Sequence, residues 1–281
     1  MSWFQTFIFI LISSCFQGQL LYEIKSKDGL KTSYLYGTIH IMPSENFSMN
    51  SKIEDAFNQT KTLALEVDLN MSLTEKLDLA KETMLPNGQT LKDICTQEQY
   101  ALIYNYCIDS SGMSKKKFKR YSHLKPFFFT SVLFQEELEE TKSFELEFNK
   151  MAQKAEKKTM GLESMQVQMQ TINSVSLENQ VSMLIEGLQS DQSYDTMLTN
   201  YLNEDLNRLY DDIVEESIDF PNFVENFLNK RNRNWIPVIT YQIEKEATFI
   251  AVGAGHLPGD QGVISLLRNQ GYLVVPILLK P

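Results

Sequence analysis

Only three histidines stand in these 281 residues, and two of them share a local frame: Gly37-Thr38-Ile39-His40 and Gly253-Ala254-Gly255-His256. Each G-x-x-H follows a short apolar run, Ser33 to Tyr36 for the first and Phe249 to Val252 for the second. Each histidine therefore falls just past the end of a predicted strand. Two acids end further predicted strands: Glu66 closes Leu63-Ala64-Leu65-Glu66, and Glu163 closes Thr159-Met160-Gly161-Leu162-Glu163. Two neutral imidazoles and one carboxylate are a common three-ligand set for a divalent catalytic metal, with a position left open for water. If the two histidine strands are parallel neighbours, His40 and His256 meet at one edge of a sheet and Glu66 joins them. They are then the candidate metal ligands, for Mn, Co, Zn or Fe alike. The competing reading is that each histidine caps a loop by bonding backbone carbonyls.

The elements that must position these residues follow from the hydrophobic pattern. Leu20 to Ile24 and Ser33 to Tyr36 read as a hairpin around Lys27-Asp28-Gly29. After the His40 loop come a short helix, Ser51 to Asn58, and the strand ending at Glu66. Near the other end, Phe249 to Val252 is apolar without alternation, as a strand buried on both faces requires. Asp260 is placed to cap a helix through Val263, Leu266 and Leu267, Gly271 to end it, and Tyr272 to Leu279 to form a closing strand. That is a βαβ unit with His256 at the carboxyl end of its first strand, where open α/β sheets place ligands. Between the two ends lie helical excursions at about residues 72–157 and 164–246. The predicted class is α/β, a mixed central sheet with large helical insertions in one domain over residues 19–281.

Composition narrows the partners. Lys and Arg number 26 against 36 Asp and Glu, a net charge of −10, which argues against nucleic acid or anionic lipid. Phe4 to Ile12 is an apolar run too short to span a bilayer but suited to a signal h-region, so residues 1–18 are expected to direct export. Ile12-Ser13-Ser14-Cys15 also has the look of a lipobox, which would put a lipid anchor on Cys15; a buried first helix is the alternative. The expected location is periplasmic, outer-membrane or secreted. No other run is long and apolar enough to span a membrane. Cys95 and Cys107 fall within helical stripes and read as small apolar fillers. The chain has no H-E-x-x-H, no G-x-S-x-G and no P-loop.

The order S-Y-L-Y-G-T-I-H, L-A-L-E-V-D, G-L-E, R-N-R-N-W and A-V-G-A-G-H-L-P-G-D-Q-G-V-I-S-L-L-R-N-Q-G-Y resembles the TraB/PrgY/GumN family over about residues 20–278. That family is related to the Tiki-type proteases, which trim secreted signalling proteins, and is akin in fold to erythromycin esterases and ChaN-like lipoproteins. The resemblance implies a mixed sheet of that type and a metal-dependent hydrolytic site. His40 and His256 match its two histidines and Glu66 its strand-end glutamate; Glu163 and Arg231 match further polar positions. The function expected is a metal-dependent hydrolase, a peptidase acting on exported peptides or proteins. In it Glu163 would act as general base and Arg231 would stabilise the oxyanion. The alternative is a peptide-, metal- or haem-binding protein without turnover.

Overall fold

The structure is a computed structural model that describes residues 18–138, 140–189 and 193–280. The leader expectation at residues 1–18, Cys15 included, falls almost wholly outside the described residues. Among those described, no helix is long and apolar enough to cross a membrane.

A six-stranded sheet carries the site. Its strands are β1 (Leu21–Lys25), β2 (Thr32–Thr38), β4 (Thr62–Leu65), β6 (Lys158–Gly161), β7 (Thr248–Gly253) and β8 (Leu273–Ile277). They lie in the order β6-β4-β7-β2-β1-β8. β1 and β2 form the antiparallel hairpin the sequence predicts, paired from Leu21 with Tyr36 to Lys25 with Thr32. β7, next to last in the chain, is inserted between β2 and β4 and runs parallel to both. β6 adds parallel to β4. Four parallel strands therefore end on one edge, each followed by a polar residue singled out from sequence.

β7 tolerates this central place because its residues are buried on both faces, from Thr248 to Val252. On one face Phe249 meets Phe148 at 4.9 Å between ring centroids and Phe57 at 5.5 Å. Tyr36 meets Phe144 edge-on at 5.4 Å. Each such ring, fully buried, contributes about 1.5–3 kcal/mol by leaving water. Phe57 comes from the helix Ser51–Asn58, and Phe144 and Phe148 from the helix Phe144–Lys154.

The closing unit differs from its simplest reading. β8 is parallel in direction to β7 but lies at the far edge, hydrogen-bonded to β1, with β2 and β1 in between. The helix joining them, Val263–Asn269, starts at Gly262 and has no side-chain cap, so Asp260 does not serve as one. Gly271 ends it in the left-handed region, φ +86°, as expected.

The helical excursions fall where the pattern predicts, from Leu73 to Lys154 and from Met165 to Lys245. The first builds a second core around Leu91, Ile103, Cys107, Phe118 and Phe129, to which Leu184 contributes from the second. Cys107 is buried there and Cys95 half-buried, and neither is bridged. Within the first excursion lies β5 (Thr141–Lys142), which pairs with β3 (Met42–Pro43) just after His40. That two-residue ladder ties the His40 loop to the start of helix Phe144–Lys154.

Candidate functional site

The five residues picked from sequence, His40, Glu66, Glu163, Arg231 and His256, meet at the carboxyl ends of the parallel strands. The two G-x-x-H loops touch through their first glycines. A Cβ on Gly37 would come within 2.8 Å of Leu257 and 3.1 Å of the Ala254 backbone. A Cβ on Gly253 would lie 3.3 Å from Glu66 Oε1, 3.5 Å from His40 Nε2 and 3.6 Å from His256 Cδ2. Gly253 has φ −51° and ψ 135°, open to any residue. The glycine is there for space, not for the sharp exit its position suggests.

Each histidine is held through Nδ1. His40 Nδ1 lies 2.9 Å from Glu145 Oε1. That carboxylate also accepts from Thr38 Oγ1 at 2.5 Å and from Ser143 Oγ at 2.7 Å. His256 Nδ1 lies 2.6 Å from Asn232 Oδ1. Asn232 is fixed in turn, because its amide nitrogen donates to the carbonyls of Gln261 at 2.9 Å and His256 at 3.3 Å. Its Oδ1 can only accept, so His256 carries its proton on Nδ1 and presents a lone pair at Nε2. A histidine tied at Nδ1 to an oxygen acceptor, with Nε2 facing a shared space, is the arrangement second-shell partners give metal-binding imidazoles.

Glu66 is fixed at both oxygens. Oε1 accepts from the Gly253 N–H at 2.8 Å and stands 3.8 Å from His256 Nε2. Oε2 accepts from Arg231 at 2.6 Å and Gln168 at 3.3 Å. Arg231 reaches in from the helix Lys230–Lys245, whose face at 231, 232 and 235 points at the site. Its guanidinium bridges Glu66 and Glu163, at 2.6 Å from each, and its other terminal nitrogen lies 3.2 Å from His256 Nε2. Glu163 Oε1 takes that arginine and Oε2 accepts from Trp235 Nε1 at 3.1 Å. The Trp235 ring packs on His256, centroids 4.5 Å apart, and under the guanidinium. With both oxygens engaged, Glu163 holds Arg231.

Burial lowers the His256 pKa, and Arg231 and His40 add to that against the pull of Glu66, leaving it neutral with a pKa of about 3. Burial opposes charge on Glu66, yet His256, His40, Arg231 and the Gly253 N–H hold its carboxyl at about 2. Crowding opposes charge on His40 as well, but Glu145 outweighs it and lifts the imidazole to about 9. The His40 side chain is 65% exposed and that of His256 6%, so solvent and ligands reach the site past His40.

The donor chemistry suits a divalent cation: two imidazoles oriented through Nδ1 and one ionised carboxylate, with His40 releasing its extra proton as it binds. Their present spacing is looser, since no group of three or more His, Cys, Asp or Glu among the described residues stands at mutual ligand distance. The Arg231 guanidinium also occupies the His256 lone pair.

A profile for the TraB/PrgY/gumN family matches residues 20–276. The chain belongs to the TraB/PrgY/gumN family. It is also similar to a curated protein of Danio rerio, Metalloprotease TIKI2, at 20% identity over 327 aligned positions. The alignment takes in 90% of this chain and 60% of that relative's length. No solved structure matches.

Among the residues of this TraB/PrgY/gumN chain, sequence reasoning missed Glu145, Asn232, Trp235 and Gln168. Asn232 and Trp235 sit in the R-N-R-N-W run, at i+1 and i+4 from Arg231, and that spacing was the available signal. Glu145 gave none, because an acid in the first turn of a helix is ordinary. The third histidine, His123, lies in the helical excursion with Nδ1 at 3.2 Å from the Gln89 carbonyl. It is a loop histidine with a backbone partner.

Proposed function

We propose that this chain is a metal-dependent hydrolase that cuts exported peptides or proteins. The observation that carries the reading is the pair of oriented imidazoles, His40 on Glu145 and His256 on Asn232, facing the space over Gly253 beside an ionised Glu66. His40, Glu66 and His256 would hold the ion, Mn, Co or Zn, which would supply an activated water and polarise the scissile carbonyl.

The chain's own residues do the rest. Glu145 and Asn232 fix the ring orientations and tautomers. Arg231 is a buried cation whose guanidinium can stabilise the negative charge that develops on a carbonyl oxygen. Glu163 and Trp235 hold that guanidinium in place. Trp235 also shields the His256 side of the site from water, leaving entry past His40. Kinship with the TraB/PrgY/gumN family and similarity to a metalloprotease support the same reading.

A second reading is a peptide- or metal-binding protein without turnover. It is favoured by one observation: Glu163 has both oxygens engaged, so no free carboxylate stands ready as a base. The two are separated by incubating metal-loaded protein with a library of unstructured peptides and reading products by mass spectrometry. Cut peptides that vanish in Glu66→Gln support hydrolysis. Retained peptides with no new termini support binding alone.

A further inference from the structure

A cavity of about 950 Å³ lies beside the site, between the helices Leu73–Glu82 and Met165–Asn173. Gly161 and Glu163 line it, and Glu163 also holds Arg231, so the cavity borders the site at the end of β6. Its size is at the upper range of ligand pockets. We propose that this groove binds an extended stretch of substrate peptide that carries lysine or arginine among apolar residues. The word substrate rests on the hydrolase reading; the binding does not require turnover.

The first argument is the helix Leu73–Glu82. A surface helix normally turns its apolar stripe inward. This one points Glu75, Asp78, Leu79 and Glu82 at the groove, spaced i, i+3, i+4 and i+7 along one face. Leu73 and Leu77 face solvent instead, 74% and 55% exposed, and no residue of the helix is buried. The inward carboxylates find no cation across the groove, because no Lys or Arg lines it. Within the fold, Glu75 accepts from the Ser72 N–H at 2.7 Å as the capping-box acid, Lys81 pairs with Asp78 at 3.0 Å from the same helix, and the Asn173 amide reaches Glu82 at 3.4 Å. A ligand cation would bring the opposite charge that no residue lining the groove supplies.

The second argument is shape and composition. The opposite helix supplies Met165 and Met169, unbranched side chains that adapt to varied apolar partners. β6 is an edge strand, bonded only to β4, and its last residue, Gly161, lines the groove. An edge strand offers main-chain partners to an extended peptide.

The test is a fluorescence-anisotropy titration of the full chain with labelled decapeptides alternating Leu with Lys, Ser or Glu. The variants are Asp78→Lys with Glu82→Lys in the groove and Glu54→Lys with Glu98→Lys on other helices, all four positions being exposed. The Lys peptide should bind wild type at least tenfold more tightly than the Glu peptide. The groove pair should lose that preference, while the charge-matched control pair stays within about twofold of wild type. Equal binding of all three peptides, an unaffected groove pair, or equal loss in the control pair overturns the proposal. Preferential binding of the Lys peptide without any cleavage keeps the groove and removes the hydrolase reading. Cleavage without charge preference does the reverse.

Discussion

His256 Nε2 lies 3.2 Å from a terminal nitrogen of Arg231. The imidazole is neutral there and offers its lone pair, so the guanidinium occupies the position a cation would seek. For His256 to serve as a ligand, Arg231 must draw back along Glu66 and Glu163, which hold it at 2.6 Å each. The arginine is thus coupled to both the integrity and the occupancy of the site.

Removing Arg231 leaves Glu66 and Glu163 buried and unpaired, so Arg231→Met should cost about 3–5 kcal/mol. Adding Glu163→Gln should recover part of that, since the two residues form one network. Urea unfolding of the single and double variants checks this. Strict additivity would argue against the network.

Asn232 and Glu145 act only through the histidines. Asn232→Leu and Glu145→Gln should each lower metal affinity about 10–100-fold. Competition against a chelator of known affinity measures it. Asn232→Leu should also shift the His256 tautomer, read from the ring nitrogens by NMR.

Gly253→Ala places a methyl among Glu66, His40 and His256. Its backbone geometry accepts alanine, so stability should change by no more than about 1 kcal/mol. Metal uptake and peptide cleavage should fall more than tenfold. Thermal unfolding and product analysis on the same preparation separate the two effects.

Glu204 adds a pH dependence away from the site. It is buried, its Oε2 has no partner, and burial raises its pKa. Its native form therefore holds a proton that the unfolded chain releases earlier. The stability it contributes is full below the unfolded value, about 4.3, and is lost as pH rises through the folded value. Glu204→Gln should be more stable than wild type at pH 7, by about 1 kcal/mol, and the gap should close as pH falls through the acid range. A gap constant from pH 4 to pH 7 would refute this.

Much of the site was legible because its parts are local. G-x-x-H after an apolar run places each histidine at a strand end, and the unbroken apolar run Phe249 to Val252 types its strand as one buried on both faces. Strand order was not legible in the same way. Phe249 to Val252 and Tyr272 to Leu279 read as neighbours, yet the β1–β2 hairpin separates them, because pairing across more than 200 residues leaves no periodic trace. Gly253 was recognisable as important, but whether for dihedral freedom or for space depends on what packs against it. Glu145 reaches His40 only because the short β3–β5 ladder joins two distant loops.

The central claim is a divalent ion held between His40, Glu66 and His256, and it is tested most directly by elemental analysis. Chelator-stripped protein is reloaded separately with Mn, Co or Zn, desalted and measured alongside His40→Ala and His256→Ala. The account predicts about one ion per wild-type chain for at least one metal, and less than a tenth of that in each variant. Wild type that retains no metal, or variants that retain as much as wild type, would contradict it.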